Sequence, residues 1–500
     1  MNNSTNHEEI YIFNPAYDLK LDKNRILLVG GKDSILDKSQ LLSFVHPILA
    51  VLFSMFDGEK TLKEILRQMA GFLKTDDNTI LDLVYPMLEN QETIKCKYDG
   101  YYFSFPEKIF VKKENGFNPR KFDMKSFLIP KHELDLTSYR LHSPLNANLM
   151  INTLCVTNCI YCYANRKKSI DLQTPLPRIK EIIQEAKHLQ MRALDITGGE
   201  IFLYKEWETL LSELMLNGFV PYISTKVPIR SETASRLKNL GIKRIQISID
   251  SLFKDELAAI LHTGEDYYQR IFETIQLLDK LGFEIYTNTQ ISVVNQDNIL
   301  QLLNYLLSLK NIKRINMGAI GFSLYTAEGN YLKYRPDIDK VKRIEDHINA
   351  IKQQYKERVF LNFSGYNDGN KILADHDEKK KSFSERSRCT ANFSAFIILP
   401  DGKVTICEEL YWHPGFIIGD LTKQSIMEMW TSEKALGLYE LSKSRIREES
   451  VCKACDEFDS CHRHRGVCWK EILYAYGYDN WDYPDPKCPK APRPFREYYI

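Results

Sequence analysis

Eleven cysteines lie in this chain of 500 residues, and they are clustered. Three fall within Cys155–Cys162, seven fall between Cys389 and Cys488, and only Cys96 stands apart. An odd total cannot pair completely as disulfides. In a large chain without secretory features, clustered cysteines read as metal ligands first. The fold must therefore carry thiols from distant segments to shared sites. The composition, 44% apolar and 27% charged residues, is that of an ordinary soluble globular protein. The net charge of +1 argues against a dedicated nucleic-acid binder, which carries a basic excess. No apolar run reaches membrane-spanning length, and the polar start Met1–Ser4 lacks a secretory hydrophobic region. These readings place the chain in the cytoplasm, away from nucleic acid and membrane.

At this length more than one core is expected. Residues 1–105 read as a small α+β domain. Arg25–Gly30 is an apolar strand, and Leu41–Phe56 an apolar helix ended by Asp57-Gly58. Thr61 and Glu64 form a capping box that opens a helix over Leu62–Leu73. A further helix spans about Asn78–Asn90, and a hairpin turns at Asp99-Gly100 within Thr93–Phe105. Residues 106–145, mixed in charge and proline, read as a bridge.

From 146 to 374, strands and amphipathic helices alternate. The strands are Asn146–Asn152, Ala193–Thr197, Phe219–Thr225, Arg244–Ile249, Glu284–Val293 and Arg314–Ala319. Helices such as Arg178–Leu189, Ser231–Leu240 and Tyr268–Leu281 fill the gaps. Six such units predict a parallel sheet with helices outside, an α/β partial (β/α)6 barrel rather than a closed eightfold one. Residues 375–500 open with a charged linker, Asp375–Arg388, and continue rich in cysteine, aromatics and turns. Ligand bonds are expected to hold this segment where core burial cannot.

Cys155, Cys159 and Cys162 form CxxxCxYC directly after the first barrel strand. That position is the C-terminal mouth of the barrel, where active sites of this architecture sit. Three thiolates can hold three irons of a [4Fe–4S] cluster and leave the fourth iron open. Zinc, or three unrelated thiols, is the alternative, although zinc favours four closed ligands. Gly198-Gly199-Glu200 ends the second strand at the same face, and two glycines there let backbone groups approach a ligand.

These residues resemble the signature of the radical S-adenosylmethionine (radical SAM) superfamily. The resemblance implies that S-adenosylmethionine chelates the open iron and that reduction releases a 5′-deoxyadenosyl radical. It implies that Tyr161 packs near the adenine and that Gly198, Gly199 and Glu200 meet the methionine amino group. Ser248 and Asp250 at the fourth strand's end, Thr225 on the third and Asn288 and Gln290 on the fifth are further candidate contacts. Each is equally readable as a strand-end hydrogen bond. An arginine after the fourth strand, common among relatives, has no clear counterpart. His262 is either near the site or on the surface.

The C-terminal cysteines, Cys389, Cys407, Cys452, Cys455, Cys461, Cys468 and Cys488, resemble the SPASM auxiliary-cluster extension. One departure is the six-residue gap before Cys468, where the commonest pattern has three. The resemblance implies that Cys452, Cys455, Cys461 and Cys488 ligate an outer cluster and Cys389, Cys407 and Cys468 an inner one. Three iron–sulfur clusters result, all expected as [4Fe–4S]. Seven thiolates leave the inner cluster with an open iron, a non-thiolate ligand or a smaller core. Glu408 and Glu409 read as solvated or hydrogen-bonded neighbours. A zinc knuckle of Cys452, Cys455 and Cys461 with His462 or His464 is the alternative. Cys96 reads as a small buried hydrophobe.

Val45–Leu49 and Phe56–Leu62 resemble the PqqD-like, winged-helix-type peptide-recognition domain fused to peptide maturases. There, a leader peptide adds to an exposed sheet edge, here expected around Arg25–Gly30 and the neighbouring helix. Together the resemblances imply a maturase that crosslinks a ribosomally synthesised precursor peptide, with a thioether favoured over a carbon–carbon or ether bond. A flavodoxin or ferredoxin is the implied reductant. The alternatives are formylglycine-type side-chain oxidation and a zinc-containing winged-helix regulator.

Overall fold

A computed structural model describes residues 7–30, 42–114, 119–137, 140–164, 173–325, 328–365, 376–386, 388–462 and 466–495. Leu41, Asp375 and His464 lie outside the described residues, as do the first four residues. The chain divides into two compact units, Met1–Ser143 and Pro144–Ile500. Most of the stretch read as a bridge falls in the first unit.

In the first unit, β1 (Tyr11–Phe13) pairs antiparallel with β7 (Phe110–Lys112), and β5 (Ile94–Tyr98) with β6 (Tyr101–Phe105). Between β5 and β6, Asp99 and Gly100 both take positive φ, 47° and 83°, as a tight hairpin turn requires. A three-stranded antiparallel sheet runs β2 (Tyr17–Leu21), β3 (Ile26–Gly30), β4 (Leu42–Val45). β3 is paired on both sides and wholly buried, so Arg25–Gly30 offers no free edge; β2 and β4 are the outer strands.

The single helix expected over Leu41–Phe56 is instead β4 followed by a helix over Pro47–Ser54. Pro47 excludes its predecessor from helical geometry, and His46 is extended at φ −63°, ψ 138°. The capping box forms as read. Thr61 and Glu64 satisfy each other's backbone N–H at the head of Leu62–Leu73. The third helix, Asp77–Val84, gives way to a 3-10 turn at Tyr85–Met87, where Pro86 removes a backbone donor.

The second unit contains two five-stranded sheets. In one, β10 (Ser224–Thr225), β11 (Arg244–Ser248), β12 (Glu284–Ile291), β13 (Ile312–Ala319) and β14 (Phe360–Ser364) are all parallel. In the other, β8 (Asn146–Met150) and β9 (Ala193–Thr197) are parallel, and β15 (Ala395–Ile398), β16 (Lys403–Thr405) and β17 (Ile417–Asp420) extend it beyond β8. The strand read over Phe219–Thr225 pairs only at its last two residues, because Pro221 cannot donate to a ladder. β9 and β10 are joined by Tyr222 N–H donating to the Asp195 carboxylate at 3.0 Å. β14 went unread in the sequence, being a single short alternating run.

The cysteine-rich segment departs from its sequence reading. Its first half packs into the barrel's own core, where Phe396, Ile398, Val404 and Trp430 are buried with Leu149 and Ile196. Strands of three or four residues are too short to show a periodicity in sequence. Only the later part relies on small clusters, such as Leu441, Ile446 and Phe458.

Candidate active site

The first cysteine loop leaves β8 through Asn152, which is 1% exposed. Its Oδ1 accepts from Leu154 N–H at 3.0 Å, and its Nδ2 donates to the Glu200 carbonyl at 3.1 Å. Gly199 N–H donates to the Asn152 carbonyl at 2.9 Å and Glu200 N–H to that of Leu154 at 2.6 Å. The loop is thereby stitched to the end of β9. From the other side, Asn158 N–H donates to the Leu261 carbonyl at 2.8 Å, and Ile160 N–H to that of Ile260 at 2.9 Å. His262, exposed and at φ 51°, sets Nδ1 2.7 Å from the Asn158 carbonyl, so it braces the loop.

This stitching explains the glycines. A Cβ on Gly199 would stand 1.9 Å from the Leu154 carbonyl oxygen, and one on Gly198, at φ +112°, 2.6 Å from that of Asn152. The sequence reading has the pair opening the strand end to a ligand. Both line the cavity, but their tightest contact is the backbone of the cysteine loop itself.

Cys155, Cys159 and Cys162 line one cavity of about 1130 Å³, together with Tyr161, Gly198, Gly199, Glu200, Thr225, Ser248, Asn288 and Gln290. Among the described residues its lining holds no fourth cysteine and no histidine. Buried Thr157 sets its hydroxyl 3.3 Å from Cys155 Sγ and 3.2 Å from Cys159 Sγ, so two of the thiols share one small polar centre. Burial pushes the Cys159 thiol up, opposed by the Lys226 ammonium. Three thiols on one wall, with no fourth ligand among the described lining residues, suit a cubane with one open iron better than a four-ligand metal.

Asp250 is fully buried and stands behind this wall rather than on it. Its carboxylate accepts from the Tyr161 hydroxyl at 2.5 Å and from Gln290 N–H at 2.8 Å. Lys226 Nζ donates to the Tyr161 oxygen at 2.9 Å and lies 3.8 Å from Asp250. Desolvation, then the adjacent carboxylate, hold the Tyr161 hydroxyl well above its ordinary value. Asp250 thus fixes the tyrosine between the second and third cysteines. Lys226 carried no sequence signal, since a lysine after a strand end is ordinary; only the return of the chain past β10 brings it to the cavity.

Glu200, 2% exposed, accepts from Thr225 Oγ1 at 2.8 and 2.9 Å, from Lys226 N–H at 3.3 Å and from Phe202 N–H at 3.2 Å. Burial still raises its carboxyl. It ties β9's end to β10's end, across the gap between the two sheets.

The far end of the cavity has different walls. Phe322 makes edge contacts with Tyr331 (6.0 Å) and Tyr474 (5.2 Å). The Glu409 carboxylate accepts from Lys470 Nζ at 2.5 Å and from the Tyr474 hydroxyl. Glu408 accepts from Thr197 Oγ1 at 3.5 Å, and burial raises its carboxyl. Both glutamates are therefore hydrogen-bonded neighbours of Cys407. Burial pushes the Cys407 thiol up to about 12.

The remaining cysteines form two neighbourhoods. The Cys452 thiol is raised to about 12, chiefly by burial and in smaller part by Cys488, Cys461 and Cys455. Cys468, raised chiefly by burial, feels Cys389. Arg386 points its guanidinium at Cys461 Sγ (3.8 Å), and Lys490 Nζ lies 3.5 Å from Cys455 Sγ. His462 stacks on Phe458 at 4.4 Å, and burial lowers its pKa to about 4. Among the described residues no three His, Cys, Asp or Glu side chains converge on a single-ion site.

Comparison with known proteins matches residues 149–308 to the radical SAM superfamily. The chain carries a radical SAM domain. Residues 389–456 match the SPASM iron–sulfur cluster-binding domain, so the enzyme uses S-adenosylmethionine with a radical-generating cluster and auxiliary clusters. A GTP 3',8-cyclase of Helicobacter pylori is 28% identical over 263 residues, covering 51% of this chain and 77% of that protein. One of Nautilia profundicola is 28% identical over 259 residues, covering 48% and 76%. The crystal structure of Streptococcus suis SuiB bound to S-adenosylmethionine superposes with a TM-score of 0.62 at 15% identity, covering 96% of this chain and 99% of that one. SuiB bound to its precursor peptide SuiA gives 0.61 at 14%, covering 95% and 98%. The fold of the enzyme is therefore that of SuiB along nearly its whole length. When bound, the reduced cluster and S-adenosylmethionine supply a 5′-deoxyadenosyl radical; the chain's own residues orient the cofactor and shape the space beside it. No helix among the described residues is long and apolar enough to cross a membrane.

Proposed function

We infer that this enzyme modifies a ribosomally synthesised precursor peptide, joining a cysteine sulfur to a peptide carbon. The observation that carries this reading is the extent of the structural likeness. SuiB, crystallised with a precursor peptide, matches 95% of the chain including the first unit, whereas the cyclases match about half. Cys155, Cys159 and Cys162 hold the radical cluster. Cys452, Cys455, Cys461 and Cys488 hold an outer auxiliary cluster, and Cys389, Cys407 and Cys468 an inner one. The electrostatic coupling of Cys452 to Cys455, Cys461 and Cys488, and of Cys468 to Cys389, supports that division. An inner cluster with three thiolates leaves room for a substrate thiolate, which favours the thioether over a carbon–carbon or ether crosslink.

The first unit acts in leader recognition, with β2 or β4 as the sheet edge that pairs with an extended peptide. Binding there raises the effective concentration of the core peptide. A flavodoxin or ferredoxin supplies electrons. A nucleotide substrate is the second reading, favoured by the cations Lys226, Lys333, Arg335 and Lys470 around the cavity and by the cyclase relatives. Against it, Lys226 and Lys470 are already engaged by Tyr161 and Glu409.

The test is anaerobic incubation of the reconstituted enzyme with S-adenosylmethionine, dithionite and the small peptide encoded beside its gene. Tandem mass spectrometry is expected to find a loss of two hydrogens at a cysteine that no longer reacts with iodoacetamide. An unmodified peptide, with GTP consumed in a parallel reaction, would overturn the peptide reading.

A further inference from the structure

Six side chains inside the barrel form one continuous hydrogen-bonded relay across β10, β11, β12 and β13. Arg314 Nε donates to Asn316 Oδ1 at 2.8 Å. Asn316 Nδ2 donates to Asn288 Oδ1 at 2.7 Å, and Asn288 Nδ2 to Gln246 Oε1 at 3.1 Å. Gln246 Nε2 donates to Ser248 Oγ at 2.9 Å, and the Ser224 hydroxyl meets Gln246 Oε1. The strand register sets this up, since Ser224 lies opposite Gln246, Ser248 opposite Asn288, and Asn288 opposite Asn316.

An amide in isolation can be turned over, exchanging its oxygen and nitrogen. This relay cannot be, because one end is an arginine. A guanidinium only donates, so Asn316 must present its oxygen to Arg314 and its nitrogen to Asn288. The same constraint passes to Asn288 and then to Gln246. Gln246 is 1% exposed, and it therefore presents its oxygen to Ser224 and its nitrogen to Ser248. Ser224 spends its proton on Gln246, while Ser248 spends a lone pair and keeps its proton. Ser224, Ser248 and Asn288 line the cavity; Gln246, Asn316 and Arg314 do not.

We propose that Arg314, through Asn316, Asn288 and Gln246, fixes the hydrogen-bond polarity of the S-adenosylmethionine site, so that Ser248 presents a donor to the cofactor and Ser224 an acceptor. Arg314 and Asn316 are positioning residues that touch no ligand. The relay turns the end of the barrel remote from the cofactor into part of its recognition, at no cost in cavity space. It rests on the radical SAM assignment and is independent of which substrate the enzyme modifies.

Asn316→Asp is the decisive variant because it keeps the volume and reverses the relay. An aspartate accepts from both Arg314 and Asn288, so Asn288 and Gln246 turn over, Ser248 donates inward and Ser224 frees its proton. Affinity for radiolabelled S-adenosylmethionine, measured by equilibrium dialysis on the reconstituted, unreduced holoenzyme, is expected to fall about tenfold, the scale of one hydrogen bond of correct polarity. Ser248→Ala should cause a similar loss, and Ser248→Ala added to Asn316→Asp should cause no further one, as expected of coupled sites. Arg314→Glu, at the partly exposed end of the relay, reverses it from outside and serves if Asn316→Asp does not fold; Arg314→Lys keeps a donor and should restore affinity. Unchanged affinity in both reversing variants, or additive losses with Ser248→Ala, overturns the proposal. Absence of binding to the unaltered holoenzyme would instead strike at the cofactor assignment.

Discussion

Replacing Gly199 by alanine tests whether the end of β9 is what holds the first cysteine loop. The new Cβ would sit 1.9 Å from the Leu154 carbonyl oxygen, 2.5 Å from Asn152 Oδ1 and 2.7 Å from the Leu154 carbonyl carbon. Two of these three are backbone atoms, so no flexible side chain can swing aside. The loop must retreat by about 1.5 Å to regain ordinary van der Waals contact. That movement breaks the bonds from Gly199 N–H to Asn152 and from Glu200 N–H to Leu154. Losing two partly buried backbone bonds costs roughly 2 to 3 kcal/mol, and the residual crowding about 1 kcal/mol or more. A misplacement of that size at Leu154 acts directly on Cys155, the next residue. Anaerobic reconstitution of Gly199→Ala should then yield about four fewer irons than the roughly twelve expected for three cubanes. The cofactor-dependent change in the paramagnetic spectrum should disappear, while the auxiliary signals persist. Gly71→Ala, whose Cβ meets nothing within 4 Å, is the control and should leave iron content and cofactor affinity unchanged. A Gly199→Ala protein with full iron content and unaltered S-adenosylmethionine affinity would refute the stitching argument.

Three further outcomes are expected. Tyr161→Phe leaves one oxygen of the buried Asp250 without its hydroxyl partner and frees Lys226, so thermal unfolding should report a loss of about 1 to 3 kcal/mol; an unchanged melting temperature would show that Asp250 does not depend on it. Glu409→Gln removes the charge that pairs Lys470 at the far cavity wall, and should lower peptide turnover by about tenfold or more with iron content unchanged; loss of iron instead would place Glu409 in cluster support. The metal-free protein has thiols raised by burial from an ordinary 9.0 to about 12 at Cys452 and about 11 at Cys461. A raised thiol binds its proton more tightly folded than unfolded. Its stabilising contribution is therefore complete below pH 9 and lost as pH climbs toward 11 to 12. Urea midpoints of the apo form should fall across that window, and a flat profile would contradict the burial of these thiols.

What the sequence determined by itself was the chemistry and the broad architecture. Motifs and their spacing are local, so CxxxCxYC, Gly198-Gly199-Glu200 and the seven later cysteines could be read directly as signs of S-adenosylmethionine and iron–sulfur clusters, and mapped onto a strand–helix alternation of adequate length. Helix heads and turns were legible for the same reason: Thr61 with Glu64, and Asp99-Gly100, act within a few residues of themselves. The structure decided whatever depends on distant segments meeting. A proline at position 47 split what hydrophobicity alone presented as one helix into a strand and a shorter helix that begins at the proline. β3 proved central rather than an edge, because its partners come from either side of it in the chain. Asp250 went behind the cavity wall to hold Tyr161, and Lys226 and Glu409 arrived there with no motif to announce them. The relay from Arg314 to Ser248 shows the difference most plainly. Each of its residues is an unremarkable polar side chain in sequence, and a direction passes along them only when parallel strands set them side by side.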